Sequence, residues 1–295
     1  MSGAAAAGRQ VATGIGLMLG SVLVFSSTHV LAKWLTGSFP VGELLVFRAL
    51  GGFVMLLPFL RDPAQPGGLG AVVVDRPWLQ VLRLGASTVE VALFYLALSI
   101  MPLANVMTFW MSAPIIVAVL SALMLREHVP VGRWGAVVLG FGGVMLALWH
   151  ETQTSGAGAV FALTGALANG LFLTLTRALR KTPDAILVGS QMAGTLALGL
   201  ALAPLGWETP SGLDWVLLLT TGMTSTIGHV LVARAMRLAP ASVVAPFKYL
   251  ALAMAGFYGW LFFGDVPQPV MVAGSAVIVG AGIWLWWFER REEQP

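Results

Sequence analysis

The chain has 295 residues, 58% of them hydrophobic and 10% charged, and a formal net charge of +3. Its mean hydropathy is +0.86. A soluble domain carries about a quarter charged residues and under half apolar ones, and a disordered chain is more charged still, so both classes are excluded. Cysteine is absent, which removes disulfides, thiolate metal sites and cysteine nucleophiles.

A bilayer core of about 30 Å needs about 20 apolar residues per helix. Ten segments satisfy this in chain order: 11–35, 41–60, 78–100, 103–124, 131–149, 156–177, 185–204, 213–236, 241–263 and 269–288. They are separated by Pro40, the Pro63–Gly70 stretch, Pro102, Pro130, Ser155–Gly156, Pro183, Pro210, Pro240 and Pro267. Proline ends helices because it lacks an N–H and clashes with the preceding turn. The longest connection, 61–77, is too short for a soluble domain, so the chemistry lies in or at a membrane. Arg9, an apolar run and Val30-Leu31-Ala32 loosely imitate a signal peptide. The run is long and has a counterpart in the second half, so it reads as a retained span.

Ionisable groups in hydrocarbon cost about 2.5–3.5 kcal/mol each and usually face an interior or a wet cavity. In the first span these are His29 and Lys33; in the second, Glu43 and Arg48. Lys33 and Glu43 flank one loop, where they snorkel or pair at the rim. Arg48 lies eight residues beyond Pro40, about 12 Å deep. It serves as a structural clamp or a substrate contact. In the third span Glu90 lies twelve residues past Trp78, about 18 Å in and near the midplane. Proton coupling and an ion pair with Lys248 or Arg48 both remain open for it, and His29 joins this candidate set. The fourth span presents Thr108, Phe109 and Trp110, the sixth Asn169, and the eighth His229.

The ninth span carries Pro246-Phe247-Lys248-Tyr249. Lys248 is about 10 Å inside and could attract a carboxylate. Phe247 and Tyr249, with Phe109 and Trp110 entering from the other side, could wall a midplane cavity, or could simply pack between helices. Thr108 and Asn169 bond across helices or line that cavity. The two histidines lack the paired ligands a zinc site needs, so no metal and no cofactor is expected.

With the N-terminus cytoplasmic and ten alternating helices, thirteen of the sixteen basic residues fall on the cytoplasmic side. They are Arg9, Arg61, Arg76, Arg83, Arg126, Arg133, Arg177, Arg180, Lys181, Arg234, Arg237, Arg290 and Arg291. The positive-inside rule requires this pattern, so the basic charge signals topology and not nucleic acid. Trp78, Trp134, Trp149, Trp207, Trp215, Trp284, Trp286 and Trp287 lie near span ends, as an interfacial belt would.

A shift of 137 residues places Trp78 on Trp215, Leu82 on Leu219, Gly85 on Gly222, Ala104 on Ala241 and Val106 on Val243. Small gaps place Gly51 on Gly194 and Glu127 on Asp265. Residues 1–150 and 151–295 each read as five spans. An odd number of spans inverts the second unit relative to the first. The fold class expected is therefore an all-α membrane protein of ten transmembrane helices in two inverted five-helix repeats, with both termini cytoplasmic.

These features resemble the drug/metabolite transporter superfamily in its ten-helix EamA-type form. The residues concerned are Pro40…Phe47-Arg48, Ala104-Asn105-Val106…Pro114…Arg126-Glu127, and Ala241-Ser242-Val243…Gly264-Asp265-Val266-Pro267. The family commonly closes the last two motifs with Gly-Glu; here Arg126 and Asp265 depart from that pattern. The resemblance implies a metabolite exporter in a bacterial inner membrane, with the YddG-type amino-acid exporters as one branch. An arginine recurs in the family at the position of Arg48.

The expected function is secondary transport by alternating access around a midplane cavity. The cargo would be small metabolites, amino acids among them, including aromatic or apolar ones. No Gly-x-x-x-x-Gly-Lys-[Ser/Thr] loop supports an ATP-driven pump. No charged ring or filter loop supports a channel. A membrane enzyme acting on a lipid or metabolite, and an exporter of drugs or other metabolites, remain as alternatives. The expected partners are a small molecule and the bilayer, with a monomer as the working unit and no nucleic acid.

Overall fold

The structure, a computed structural model, describes residues 2–60, 76–125, 131–148, 156–179, 182, 184–238 and 245–292. Arg61, Pro63–Gly70, Arg126-Glu127-His128, Pro130, Trp149, Ser155, Arg180, Lys181, Pro183, Pro240 and Ala241-Ser242-Val243 lie outside those residues. Among the described residues every regular element is helical. They are α1 (Ser2–Leu35), α2 (Val41–Leu60), α3 (Pro77–Ile100), α4 (Leu103–Trp110), α5 (Ala113–Leu125), α6 (Val131–Leu148), α7 (Gly156–Ala178), α8 (Asp184–Leu202), α9 (Asp214–Leu238), α10 (Leu250–Tyr258) and α11 (Pro269–Glu292). Short turns at Ala203–Leu205 and Ala245–Tyr249 are 3-10, and Gly259–Phe263 is a π-turn. Five of the described helical stretches are long and apolar enough to cross a bilayer: Arg9–Leu35, Pro77–Ile100, Gly156–Thr176, Ile186–Leu205 and Asp214–Val232.

Two expected spans are not uniform helices. The fourth breaks between α4 and α5. Pro114 has no N–H to offer the Trp110 carbonyl four residues earlier. At the break the Ser112 hydroxyl and backbone N–H both donate to the Phe109 carbonyl, at 2.6 and 3.0 Å. The ninth is a 3-10 turn, then α10, then the π-turn, which ends at Gly264 in the left-handed conformation (φ 69°).

The chief packing partners are distant in sequence. Helix α1 lies on α9, α3 on α7, α2 on α8 and α9, α6 on α11, and α4 on α10 and α7. Glycines permit the closest crossing. A Cβ at Gly51 would strike the Leu219 carbonyl, and one at Gly222 would strike the Arg48 carbonyl. Backbones of α2 and α9 therefore touch beside the centre of the molecule.

The two ends of the bundle pack differently. Around the 36–40 loop one continuous core joins Leu35, Phe39, Leu44, Phe47, Leu98, Met101, Leu103 and Met107 from α1 to α4. At the opposite end the buried apolar residues among those described form two smaller groups. One joins Met18 and Ala235 of α1 and α9; another joins Leu79, Leu175, Leu179 and Leu187 of α3, α7 and α8.

Polar ties reinforce the 36–40 end. The Lys33 ammonium donates to the carbonyls of Leu98 and Met101, at 2.7 and 2.6 Å, and so caps the end of α3. The buried Glu43 carboxylate accepts the Glu208 N–H at 3.0 Å. The two residues thus do not pair with each other. Asp265 lies within electrostatic reach of Lys33; burial pushes its carboxyl above the usual range, and the ammonium opposes that shift.

Arg83, near the start of α3, is buried between helices. It is only 2% exposed. Its Nε donates to Thr176 Oγ1 at 2.9 Å and its Nη1 to the Leu187 carbonyl at 3.0 Å. Arg9, Arg76 and Arg234 are exposed. Trp78, Trp134, Trp207, Trp215 and Trp284 are also exposed near helix ends.

Candidate functional site

A cavity of about 240 Å³ lies between α1, α2, α3, α4, α7, α8, α9 and the turn that leads into α10. Helical periodicity builds its walls. Phe25, His29 and Ala32 follow one face of α1; Glu90, Val91, Phe94 and Tyr95 one face of α3; Ser225, His229 and Val232 one face of α9. Residues three, four and seven apart share a helix face.

One wall is an aromatic strip that crosses four helices. Trp110 meets Phe94 with ring centroids 4.8 Å apart, and Phe94 meets His29 at 4.9 Å. His29 stacks on Phe25 at 6.1 Å, and Phe25 meets His229 edge-on at 5.0 Å. A flat or apolar group fits against such a wall.

The charged groups of the lining are Arg48, Glu90 and Lys248. Arg48 donates to the Ser225 hydroxyl at 2.6 Å and stands 5.9 Å from the centre of the Tyr95 ring. Its Nε is buried without a partner. Glu90 lies beside the Trp110 indole N–H. No salt bridge links it to Arg48 or Lys248 among the described residues, but Arg48 lies within electrostatic reach of it. Lys248 also lines the cavity, with no hydrogen bond or ion pair among the described residues. His229 Nδ1 lies 2.8 Å from the Ser225 carbonyl.

Seven residues singled out from the sequence therefore come together: His29, Arg48, Glu90, Trp110, Asn169, His229 and Lys248. Thr108, Phe109, Phe247 and Tyr249 stand outside the lining. Thr108 bonds the Ala104 carbonyl and Ser275 on α11, each at 2.9 Å. Phe109 is wholly buried in the core. Phe247 packs on the Met18–Ala235 group. Each successive helical residue turns about 100°, so runs such as 108–110 cannot all face one cavity.

The sequence reading missed Phe25, Phe94, Tyr95, Phe172 and Gln191. The i, i+4 rule would have found two of them. Phe25 precedes His29 by four, and Phe94 follows Glu90 by four. Among the described residues no group of three His, Asp or Glu side chains could hold a metal. The cavity offers binding by stacking and by fixed charge.

The profile of the EamA-like transporter family matches residues 12–149 and again residues 156–287. The chain belongs to this family. Membership places it in the drug/metabolite transporter superfamily and makes it a multi-pass membrane protein, a transporter by kinship and not an enzyme. A riboflavin transporter of Rhizobium johnstonii is 29% identical over 279 residues, 92% of this chain and 91% of that protein. An S-adenosylmethionine uptake transporter of Rickettsia felis is 23% identical, over 95% of this chain and 94% of that one. A pseudopaline exporter of Pseudomonas aeruginosa is 27% identical, over 92% and 95%. A solved crystal structure shares the fold with a TM-score of 0.66 at 19% identity, covering 94% of this chain and 97% of that one. These EamA relatives include both uptake and export proteins, and their names give no support to the amino-acid exporter branch.

Proposed function

We propose that this EamA-family chain is a secondary transporter that exposes its central cavity alternately to the two sides of a bacterial inner membrane. The observation that carries this reading is a cavity walled by helices of both halves and lined by Arg48, Glu90 and Lys248, two cations against one carboxylate. The proposed substrate is a small metabolite that joins a carboxylate to a planar or apolar portion, amino acids being the simplest of that class. Export is the proposed direction, and a monomer the working unit.

The helix pairings support two inverted repeats, 1–150 and 151–295. Advancing each span by five maps the α1–α9 pair onto the α7–α3 pair. The α2–α8 and α6–α11 pairs map onto themselves. A two-fold relation between the halves produces these correspondences. In the proposed orientation both termini are cytoplasmic and the 36–40 end is external. The continuous core and the Lys33 cap then hold the outer side closed in this state.

Counterflow in proteoliposomes against a panel of amino acids and other small carboxylates tests the proposal. Accelerated exchange of at least one panel member supports it, and silence across the panel overturns the substrate class. Running the same assay with a pH gradient tests Glu90 as a proton carrier. Gradient-driven flux that survives Glu90→Gln removes that role.

A further inference from the structure

We infer that the cavity selects organic anions, through a cationic pole made by Arg48 and Lys248 of its lining, with Arg83 behind Phe172. This deepens the transport reading and rests on it.

The charges of all three cations act on the His229 ring. None of them pairs with a carboxylate among the described residues. Arg48 is held by a hydroxyl and faces a ring, and Lys248 has no hydrogen bond or ion pair among the described residues. Arg83 uses a hydroxyl and a carbonyl, and its guanidinium lies 4.9 Å from the centre of the Phe172 ring. Phe172 itself lines the cavity, so Arg83 stands one ring behind the wall. Against these three, Glu90 is the one carboxylate lining the cavity among the described residues; it lies within electrostatic reach of Arg48 and beside the Trp110 indole, which leaves the Lys248 charge uncompensated.

The lining is therefore net positive even before Arg83 is counted. A buried cation without a counter-charge is costly in the membrane interior, and an anionic occupant offsets that cost. The aromatic strip completes the specification: a flat group lies along it while one or more acidic groups reach the α9 side. A carboxylate about 6 Å from one cation, at an effective dielectric of about 20, gains about a hundredfold in affinity. Residual hydration reduces this, leaving about tenfold or more.

The test is calorimetric binding to the full chain in nanodiscs, using three compounds that share one ring: 3-phenylpropionate, phenylalanine and phenethylamine. The expected order is anion, zwitterion, amine, with at least about tenfold between the first and last. Lys248→Gln should erase most of that preference. Arg83→Gln should weaken it about threefold, because its charge acts from behind Phe172. Arg83→Lys and Lys248→Arg keep the charge and should keep the order, which separates charge from folding. An amine that binds as tightly as the anion, a preference untouched by Lys248→Gln, or no binding by any of the three overturns the inference. Counterflow of these compounds distinguishes the two readings. Transport without anion preference sinks only this inference, and anion-selective binding without transport sinks only the transporter reading.

Discussion

Substituting Gly222 by alanine tests the packing on which the cavity depends. The new methyl would lie 2.7 Å from the Gly52 nitrogen and 2.8 Å from the Arg48 carbonyl carbon, and closer still to its oxygen. Relaxed carbon contacts lie at about 3.5–4.0 Å, so α2 and α9 must part by about 1 Å. The Arg48–Ser225 bond, now 2.6 Å, spans this crossing. Stretched to about 3.6 Å it is no longer a hydrogen bond. Overpacking costs about 1–3 kcal/mol, and a lost bond to a charged group about 1.5–3 kcal/mol. The expected loss is about 3–4 kcal/mol, read as a lowered thermal midpoint in detergent together with weakened substrate exchange. Gly85, its counterpart under the 137-residue shift, has nothing within 4 Å of an added Cβ. Gly85→Ala should leave stability unchanged or raise it by up to about 1 kcal/mol. Equal melting of Gly222→Ala and the parent chain would refute the reasoning.

The ammonium cap on α3 predicts that Lys33→Met destabilises by about 2 kcal/mol, since bonds to a charged donor are lost. Because the chain has no native cysteine, a Met101→Cys probe can report the same event, and it should label faster in the Lys33→Met background. Thr108→Val removes the α4–α11 bond and should cost about 0.6–1.7 kcal/mol in an unfolding titration, with binding little changed. Asp265 holds its proton to a higher pH when folded than its ordinary value of 3.8, because burial disfavours the charge. Its contribution to stability therefore falls as pH rises through the window above that value. Asp265→Asn should flatten this part of the stability–pH profile; an unchanged slope would dismiss the group as its source.

Much of the scaffold was legible because hydrocarbon imposes a length on every crossing and proline marks its ends. The interruption at Met111–Ser112 was hidden by an unbroken apolar run that contained Pro114. The cavity was legible where charge is expensive: Arg48, Glu90 and Lys248 stand out against apolar neighbours. It was less legible where aromatics are cheap. Phe109 and Trp110 are adjacent and equally apolar, and only rotation about the helix axis sends one into the core and the other to the cavity. The partners of Arg83 were hidden for a different reason. Its distance from the span end matches an interfacial charge, whereas Thr176, Leu187 and Phe172 come from helices far along the chain.

The break after Trp110 has a mechanical consequence. Trp110 ends α4, an eight-residue segment joined to α3 by two residues, Met101 and Pro102, where Lys33 of α1 is also bolted. The ring that lines the cavity is thus carried on the short segment tied to the end of α3, not on α5 beyond the break, so a shift of that segment moves the indole with it.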